Sequence, residues 1–600
     1  MTQSPATVAA TLAAGRAHHA AGRLAEAEAA YRAVLGAVPG QPDALHLMGV
    51  IALQVGKPAI AVELIGQAIR GNPRAAGFQA NLCAALRRLG RLEEAAEAGR
   101  RAVDLDPTLA DGFHNLANAL ADLNRHAEAA EALKALLALR PQLTDQRLQR
   151  ARCLILADRP ADAVEELRAL LAGSPRRADA YINMGVALKK LGRVTDAIAA
   201  YRTALEIAPA DPGALNNLGT ALQEEDRYEE AADCFRQAIA AKPDSGDAYV
   251  NLSLALRALG RVDEALEAAR IGAARNPEQG EARTGLGFLL LLKGELADGF
   301  REYEWRTRMA DFPSPKRHFS IPAWDGGDCA GRTILVHDEQ GVGDAIQFIR
   351  YAPLLKARGA RVVVECNTQL TRLLSSMPGV DAVIGRFTQP PPVDAYVSLL
   401  SLPHLLGTTL ETVPAEVPYL FAEPELAARW GERLGPPRAF RVGLVWAGNP
   451  EFKDDRNRSP GLAAFWPLLT VPGVEVYALQ KGNGRRDLET LTEPLPPGFT
   501  DLGPEIGNFA DTAAAMRHLD LVISSCTGPT HLAGALGRPT WTVLPTACDW
   551  RWLDRGETTV WYPTMRLFRQ ERRGEWGLVV ARVRAALEEA VRAHGTGGRP

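Results

Sequence analysis

The residues most able to do chemistry lie in the stretch "HDEQGVGDAIQFIRY", which runs from His337 to Tyr351. This stretch contains Glu339 and, after two glycines, Asp344 at the position where a helix should begin. Glycine permits a sharp turn between a strand and a helix, and an aspartate at a helix start can cap the helix or accept a proton from a substrate. The stretch is therefore a candidate phosphate-binding loop, catalytic loop or capped turn.

Three further loops contain residue types suited to an anionic ligand, and each follows an apolar segment. "WAGNPEFKDDRNRSP" is basic, "LQKGNGRR" offers an amide and a cation, and "SSCTGPTHLAGALG" places hydroxyl groups and glycine before a helix. Free N–H groups and partial positive charge at a helix start suit a diphosphate, whereas helix caps and solvated cations are the structural alternative. The candidate binding residues are Lys453, Arg456, Arg458, Gln480, Lys481, Ser525, Thr527, Gly528, Thr530 and His531.

Several familiar motifs are missing from the sequence. "GVGD" lacks the third glycine of the dinucleotide fingerprint, and neither G-x-x-x-x-G-K-[ST] nor G-x-S-x-G occurs. The adjacent acids of "KDDR" and the seven scattered cysteines have no metal-ligand spacing, so we expect no metal. A net charge of −3 gives no indication of a nucleic-acid partner.

The elements that must position these loops alternate between strands and helices. We expect strands in "TILVHDE", "RVVVEC", "DAVIGR", "DAYVSL", "RVGLVWAG", "VEVYALQ", "LDLVISS" and "TWTVLP". We expect helices over residues 343–358, 368–376, 462–469, 511–519 and 529–536. The first of these should bury Ile346, Ile349, Leu354 and Leu355. Such alternation predicts two parallel sheets with a cleft at their carboxyl ends, in domains covering residues 332–425 and 438–597 after a linker at 311–331.

The first half of the chain is a repeat array. Prolines recur every 34 residues from Pro39 to Pro277, and a Gly, Asn or Asp lies 17 residues before each one. These three residue types tolerate a left-handed backbone at a helix end, so each period predicts a helix, a turn, a second helix and a proline stop. "GRLEEAAEAGRRAVDLDP" and its equivalents resemble tetratricopeptide repeats. Eight repeats and a ninth, capping repeat predict a superhelical domain over residues 6–310.

One residue type recurs inside the array beyond what packing requires. Side-chain amides both donate and accept hydrogen bonds, so a ladder of them can hold the backbone of an extended peptide. The protein O-GlcNAc transferases have a similar ladder. The alternative is that each amide satisfies backbone groups of its own repeat. The residues are Asn81, Asn115, Asn183, Asn217 and Asn251.

Nothing in the sequence predicts export or membrane insertion. "MTQSPATVAATLAAGR" has no basic segment followed by an apolar run, so we expect no signal peptide. "LGFLLLL" is too short to span a bilayer. We therefore expect no transmembrane segment and a cytoplasmic location.

The motifs taken together resemble a known combination of domains. "DEQGVGDAIQFIRYAPLL", "WAGNPEFKDDRNRS", "DLVISSCTGPTHLAGALGRPTW" and "DWRWLDRGETTVWYPTMRLFRQ" look like bacterial tetratricopeptide proteins with a C-terminal glycosyltransferase domain similar to the heptosyltransferase family. The resemblance implies a GT-B module, with two Rossmann-like domains facing a cleft, that binds a nucleotide-diphosphate sugar without a metal. It places the diphosphate at the loops after "LVISS" and "LVWAG", the nucleoside near Gln480 and Lys481, and the general base at Asp344.

This chain departs from its apparent relatives at two positions. Many of them have an acid where Cys526 stands and a histidine where Phe452 stands. Loss of an acid beside a diphosphate removes a like charge and need not harm binding, but it puts any catalytic role of that acid in doubt. The aromatic segment near the C-terminus, with Trp550, Trp552, Trp561 and Tyr562, could stack on a sugar. Burial of its rings between the two domains is the expected use.

The resemblance leads to an inverting glycosyltransferase that needs no cofactor beyond its donor. Asp344 is the candidate base, with Glu339 in reserve, and helix capping is the structural alternative for Asp344. The repeats favour a protein acceptor, such as a surface or flagellar protein. One alternative is a heptosyltransferase-like enzyme acting on an envelope glycan or lipid-linked acceptor. Another is a non-catalytic, peptide-binding scaffold.

Overall fold

The repeats of the first half are helix pairs joined by a left-handed turn. Their nine turn residues all have φ between 56° and 84°, which confirms the conformation predicted from their residue types. The second helix of each of the first eight pairs stops shortly before the recurring proline, as Leu92–Leu105 does before Pro107. The turn residues are Gly22, Gly56, Gly90, Asn124, Asp158, Gly192, Asp226, Gly260 and Gly294.

The computed structural model describes residues 4–312, 314, 317–451 and 455–596, and the side chains of residues 595 and 596 are outside this description. The N-terminal region is a helical solenoid. Its helices are α1 (Pro5–Ala20), α2 (Leu24–Ala37), α3 (Pro42–Gln54), α4 (Pro58–Gly71), α5 (Ala76–Arg88), α6 (Leu92–Leu105), α7 (Ala110–Asp122), α8 (His126–Leu139), α9 (Thr144–Leu156), α10 (Pro160–Gly173), α11 (Ala178–Lys190), α12 (Val194–Ile207), α13 (Pro212–Glu224), α14 (Tyr228–Ala241), α15 (Gly246–Ala258), α16 (Val262–Arg275), α17 (Gly280–Leu292) and α18 (Leu296–Tyr303).

The chain divides into two compact units, Met1–Ala241 and Lys242–Pro600. The array was predicted as one domain to residue 310, whereas its last helices, α15–α18, group with the second unit. Within the first unit, small residues allow paired helices to approach closely. A Cβ added to Gly185 would lie 2.4 Å from the ring of Tyr201, which is almost fully buried, so that ring occupies the space a side chain would need.

The second unit also contains the strands. These are β1 (Thr333–His337), β2 (Arg361–Cys366), β3 (Ala382–Gly385), β4 (Ala395–Ser398), β5 (Phe440–Val445), β6 (Val474–Ala478), β7 (Phe499–Asp501), β8 (Leu521–Ser525), β9 (Thr540–Leu544) and β10 (Met565–Arg569). Its other helices are α19 (Val342–Phe348), α20 (Ala352–Ala357), α21 (Thr368–Leu374), α22 (Leu402–Leu405), α23 (Pro424–Leu434), α24 (Asp455–Arg458), α25 (Leu462–Leu469), α26 (Phe509–Met516), α27 (Gly528–Ala535) and α28 (Trp576–Thr596).

The strands form two parallel sheets, as expected for an α/β region. The first has the order β3-β2-β1-β4 and the second the order β10-β9-β8-β5-β6-β7. Chain order reverses direction between β1 and β4 in the first sheet and between β5 and β8 in the second. In open α/β sheets, ligands bind outside the carboxyl ends of the strands at such switch points.

The sequence predicts one continuous helix over residues 343–358, and this prediction is wrong. A 3₁₀ turn at Ile349–Tyr351 separates α19 from α20. Pro353 lies in the first turn of α20 and has no N–H with which to continue the α-helical ladder. Of the side chains expected to be buried, Leu354 is 38% exposed and therefore faces solvent.

Other elements were not predicted from the sequence. β7 is only three residues long, and α23 begins at the end of the proline-rich stretch "TVPAEVPYLFAEP". β10 and α28 lie in and after the aromatic C-terminal segment. β7 and β10 are short, which is where sequence patterns discriminate least. The 21-residue α28 does have a helical pattern, since Val579, Val583 and Leu587 are buried four residues apart.

The aromatic segment near the C-terminus packs into the interior, as predicted. Trp550 and Trp561 are fully buried, and their ring centroids lie 6.3 Å apart. The Trp550 ring meets Phe300 of α18 at 5.6 Å and Phe348 of α19 at 6.1 Å. This segment therefore joins the last repeat to the first sheet's helix by apolar contact.

Across the described residues, no helix combines the length and the apolar character that crossing a bilayer requires.

Candidate functional site

The loop after β1 ends in a capped helix start. Gly341 is the N-cap of α19, and its N–H donates to Oδ2 of Asp344 at 2.8 Å. Gln340, one residue earlier, has a left-handed backbone with φ of 59°. The capping role that the sequence suggested for Asp344 is thus present.

Asp344 also forms an ion pair with a residue far along the chain. Nη2 of Arg551 donates to Oδ1 of Asp344. The two side chains are only 17% and 6% exposed. Burial raises the pKa of Asp344 above its usual value, and the Arg551 guanidinium opposes this rise. The carboxyl is therefore buried, oriented and paired with one cation.

Arg551 is itself held by a second acid. Its Nη1 donates to Oδ1 of Asp549 at 2.8 Å, and its main-chain N–H donates to the same oxygen at 3.0 Å. Burial acts to raise the pKa of Asp549, but Arg551 outweighs burial and the pKa is lowered. One guanidinium therefore bridges two carboxylates, Asp344 and Asp549.

Glu339, the reserve base, is engaged elsewhere. It is 6% exposed and accepts a hydrogen bond from Nε of Arg306 at 2.7 Å. Arg306 also donates to Glu304 at 2.7 Å and to Ser401 at 3.0 Å. Because a fully buried guanidinium already occupies Glu339, this carboxylate is less available to a substrate hydroxyl than Asp344.

The start of α27 is arranged differently from that of α19. No side chain caps α27, and the hydroxyl of its N-cap residue Thr527 donates back to the carbonyl of Ser525 at 3.3 Å. The hydroxyl of Thr530 donates to the same carbonyl at 2.9 Å. Since Thr527 turns away from the helix N–H groups, those groups are not satisfied by a side-chain cap. The Ser525 hydroxyl is fully buried and has no hydrogen-bond partner among the described atoms.

The loop after β5 meets the start of α27 at the switch point of the second sheet. A Cβ built on Gly448 would lie 2.3 Å from Asp455, 2.9 Å from Nη2 of Arg458 and 3.3 Å from Thr527. Nε of Arg458 donates to Oδ1 of Asp455 at 3.0 Å. The structure thus brings Arg458, Thr527 and Gly528 together. Arg456, on the same short helix, is exposed.

Two sequence predictions in this loop fall on residues that are not described. Lys453, a candidate diphosphate ligand, and Phe452, a departure from the apparent relatives, lie outside the described residues.

Cys526, the other departure, is buried at the end of β8. Its Sγ accepts a hydrogen bond from Nε1 of Trp552 at 2.9 Å. Burial raises the pKa of this thiol to about 12. A neutral thiol thus stands next to Thr527, where many apparent relatives have an acid.

His531 connects α27 to the aromatic segment and to α19. Its Nδ1 is 3.0 Å from the hydroxyl of Tyr562, and its ring stacks on Trp552 with centroids 5.2 Å apart. Burial, with the Arg551 guanidinium acting in the same direction, lowers the pKa of His531 to about 3. A side chain on Gly343 would bring its Cβ to 3.0 Å from the His531 ring. The glycine therefore allows the two helix starts to approach each other, and His531 is neutral there.

Gln480 and Lys481 make contacts that stabilise the loops themselves. Oε1 of Gln480 accepts from the N–H groups of Trp446 and Ala447, both at 3.0 Å, and its Nε2 donates to the Ala447 carbonyl at 3.0 Å. Nζ of Lys481 donates to the carbonyl of Gly503 at 3.2 Å. Gln480 thus fixes the chain after β5 rather than presenting a free amide, while Lys481 remains exposed.

A cavity of about 410 Å³ lies at the switch point of the first sheet, next to His337 of β1 and Ser398 of β4. Its wall includes Arg306 and Glu339 and the aromatic rings of Trp324 and Tyr396. The charged groups in it are paired, as between Arg306 and Glu339. The cavity thus offers apolar faces together with fixed donors and acceptors, the lining typical of a small-molecule pocket.

The asparagine ladder makes hydrogen bonds within the array. Nδ2 of Asn115 donates to the Ala80 carbonyl at 2.9 Å, and Nδ2 of Asn183 donates to the Asp179 carbonyl at 2.7 Å. Nδ2 of Asn81 is 2.8 Å from Nε2 of His46. The contacts of Asn115 and Asn81 reach the preceding repeat, so of these three residues only Asn183 satisfies a backbone group of its own repeat. Asn217 is half-buried in the same unit, and Asn251 belongs to the second unit.

Sequence reasoning missed Arg551 and Asp549. The stretch "DWRWLD" contributed its aromatic rings and part of the family resemblance, but its charges were not interpreted, although an acid and a base two residues apart inside an apolar segment are unusual. A buried charge requires a partner, so that pair was a usable signal.

Within the described ranges, no group of three His, Cys, Asp or Glu side chains is placed to hold a metal ion.

Comparison with known proteins identifies the N-terminal region as a tetratricopeptide-repeat region. Residues 2–42, 46–110, 216–273 and 253–304 match one tetratricopeptide-repeat family. Residues 176–244 and 110–143 match two others. Repeats of this kind commonly present a surface for proteins or peptides, so the region is suited to a protein-interaction scaffold.

One curated relative is Protein FlbA of Caulobacter vibrioides (strain ATCC 19089 / CIP 103742 / CB 15). The two chains are 29% identical over 330 residues, which cover 50% of this chain and 54% of FlbA. The chain therefore spans about half the length of this relative. The relative's name carries no information on catalysis.

Several solved structures are similar to part of the chain. YrrB, described as a TPR protein with an unusual peptide-binding site, is 21% identical, with 31% of this chain and 96% of that chain covered and a TM-score of 0.28. MamA from Desulfovibrio magneticus RS-1 is 22% identical over 28% of this chain and 97% of its own, with a TM-score of 0.27. PilW, a type IV pilus biogenesis factor, is 20% identical over 35% of this chain and 98% of its own, with a TM-score of 0.32.

Proposed function

We propose that this chain is an inverting glycosyltransferase with a GT-B module, which moves a sugar from a nucleotide-diphosphate sugar to a hydroxyl group of a protein. The proposed reaction uses neither a metal nor a cofactor beyond the donor. One observation carries the proposal: Asp344, at a helix start of the first sheet, lies beside the uncapped start of α27 at the switch point of the second sheet, with Gly343 against His531.

The donor side of the proposal rests on the second sheet. The start of α27 has a partial positive charge and no side-chain cap. Arg458 lies against Gly448 in the neighbouring loop and adds a cation. A Cβ at Gly448 would clash with Asp455 and Arg458, so the glycine lets these two side chains pack against the backbone of the loop. In the proposed complex, these groups stabilise the negative charge that develops on the departing nucleoside diphosphate.

The acceptor side of the proposal rests on Asp344. The hydroxyl attacks the anomeric carbon as its proton passes to the Asp344 carboxylate, and the bond from that carbon to the diphosphate breaks. Burial, which raises the pKa of this carboxyl, makes it a stronger base than an exposed aspartate. Its position next to the start of α27 suits a single displacement, which inverts the anomeric centre.

A protein acceptor is favoured by the repeats. Asn115 and Asn183 use their amide nitrogens inside the array, and within the described part of the chain their Oδ1 atoms have no hydrogen-bond partner. Such oxygens can accept hydrogen bonds from the N–H groups of an extended peptide.

Donor turnover tests the catalytic part. The full chain is incubated with UDP-, GDP-, ADP- and CMP-linked sugars, and released nucleotide is measured beside thermal stability. We expect one donor to raise the unfolding free energy by about 2.7 kcal/mol at a hundredfold excess over its dissociation constant, and to be turned over. Binding without turnover in the presence of candidate acceptor proteins would instead favour the peptide-binding scaffold.

The acceptor part is tested by a double substitution in the ladder. Asn115→Ala with Asn183→Ala removes two peptide contacts and leaves the second unit unchanged. Modification of a protein acceptor should fall, while hydrolysis of the donor by water should stay at the level of the original chain. Equal loss of both activities would show that the ladder acts on folding alone.

A further inference from the structure

We propose that Arg551 is a positioning residue for Asp344, which it holds towards the start of α27 in the ionised, proton-accepting state. This inference rests on the proposed function. It concerns a contact between residues 207 positions apart, from the aromatic segment to the first sheet's helix.

The guanidinium of Arg551 is fixed on several sides. Asp549 accepts from both its Nη1 and its main-chain N–H. The guanidinium carbon lies 4.2 Å from the ring centroid of Trp550 and 5.6 Å from that of Phe348. A planar cation between aromatic faces and a carboxylate has little freedom to rotate. Arg551 is therefore a rigid support for whatever it binds.

The carboxylate of Asp344 is divided between two donors. Oδ2 accepts the N–H of Gly341, and Oδ1 accepts Nη2 of Arg551. An ionised carboxylate has about four lone-pair sites, so these two contacts fix its plane and leave sites for a substrate hydroxyl. Without Arg551, the cap alone would determine the orientation of Asp344, through one oxygen.

Charged and titratable groups face Asp344 from each element around it. Arg551 favours its ionised form, whereas Asp549 and Glu339 disfavour that form. Tyr303 from the last repeat and His531 of α27, which lies against the neighbouring Gly343, are neutral.

The two sides of this bridge act on Asp344 with opposite sign. Arg551 lowers the pKa of Asp344, and Asp549, as a like charge, raises it. Arg551→Met should therefore raise the pKa, and Asp549→Asn should lower it. Asn at position 549 can still accept both hydrogen bonds through its Oδ1, so this variant changes charge with little change in shape.

The experiment is the pH profile of kcat/KM for release of nucleotide from the donor identified in the panel. A base must be ionised, so activity rises through its pKa and forms an acidic limb. We expect Arg551→Met to move this limb to higher pH by roughly 1–3 units, the usual effect of removing a neighbouring opposite charge. Asp549→Asn should move it to lower pH.

One further variant separates the charge of Arg551 from its effect on the orientation of Asp344, and a second variant is a control. Arg551→Lys keeps the cation but lacks the fork that reaches both acids, so its limb should stay near the original while kcat falls. Arg433→Met, which breaks an exposed ion pair with Glu505, should change neither quantity.

The outcomes separate the two proposals. If the donor is turned over and the acidic limb lies at the same pH in the original chain, Arg551→Met and Asp549→Asn, the proposed role of Arg551 is wrong and the proposed function stands. Absence of turnover with every donor overturns the proposed function and this inference with it. If Arg551→Met does not fold, as judged by circular dichroism, the direction of the Asp549→Asn limb decides.

Discussion

The two helix starts that meet in the second unit differ in how their N–H groups are satisfied. At α19, Asp344 folds back and accepts the N–H of Gly341. At α27, the hydroxyl of Thr527 donates to a carbonyl and accepts nothing from the helix. Both follow a parallel strand and contain glycine, so their sequences look alike, yet only α19 is capped by a side chain.

This difference predicts opposite roles for the N-terminal ends of α19 and α27. An end that carries its own carboxylate is already neutralised and repels an anion, whereas an end without one attracts it. We infer that α19 serves the hydroxyl that loses a proton and α27 the phosphates that gain charge. The following predictions test that division, from the largest expected effect to the smallest.

Asp344→Asn should have the largest effect. Asparagine keeps an oxygen for the cap but cannot take a proton, so kcat should fall by about 10²–10⁴-fold, the usual contribution of a general base. Donor affinity, measured by isothermal titration calorimetry, should change little because α27 is untouched. An unchanged kcat would show that Asp344 only caps α19, and an equal loss of donor affinity would place the donor on both ends.

Arg458→Met should act on the other end. Removing a cation that contacts the diphosphate should weaken donor binding by about 10–100-fold, since hydrogen bonds to charged groups contribute about 1.5–3 kcal/mol. The same calorimetric titration measures the change. Arg372→Met, which breaks an exposed pair with Glu423, is the matched control and should bind normally. If both variants bind alike, the loop after β5 does not contact the donor.

His531, on α27, should make the free energy of unfolding depend on pH. Its pKa is about 3 in the folded state, below the ordinary value of 6.5. The stability it contributes is therefore present above pH 6.5 and is lost as pH falls toward 3. His531→Phe should remove this dependence, which is about 1.4 kcal/mol per pH unit for one proton. Urea unfolding of both chains between about pH 7 and pH 4 measures the difference, and parallel curves would contradict the assignment.

Thr527→Val should have the smallest effect. The hydroxyl makes two long hydrogen bonds inside the loop, with the Ser525 carbonyl and the Ser524 hydroxyl, and their loss should cost about 0.5–1.5 kcal/mol of unfolding free energy for each bond. Thermal unfolding followed by circular dichroism measures this cost. Donor affinity should stay within a few-fold, because the helix N–H groups, not the hydroxyl, are expected to bind. A loss as large as that of Arg458→Met would instead make the Thr527 hydroxyl a ligand.

The sequence predicted the repeats and most strands because their signals are local. The recurrence of a proline every 34 residues, with a turn residue at a constant offset, directly predicts the helix pair. Likewise, "LDLVISS" followed by hydroxyl groups and glycine predicts a strand and a helix start, which the structure has at β8 and α27.

The candidate site was harder to predict from the sequence because its contacts join residues that are far apart in the chain. Asp344 was recognised from its place at a helix start, but nothing near it in the chain indicates Arg551, 207 residues away. Gln480 looked like a ligand, whereas its amide braces the chain after β5. Local patterns identify which side chains are polar, and only the fold decides whether their partners are backbone, an opposite charge or a ligand.

The buried tryptophans give the proposed site an intrinsic fluorescence signal. Trp446, Trp550, Trp552 and Trp561 are all fully enclosed, so their fluorescence should be shifted to the blue relative to exposed indoles. The guanidinium that bridges Asp344 and Asp549 lies 4.2 Å from the Trp550 ring centroid. Any event that moves this cation changes the electric field on that ring. Ligand entry, protonation of Asp344 and substitution at position 549 should therefore each have an intrinsic optical signature that requires no label.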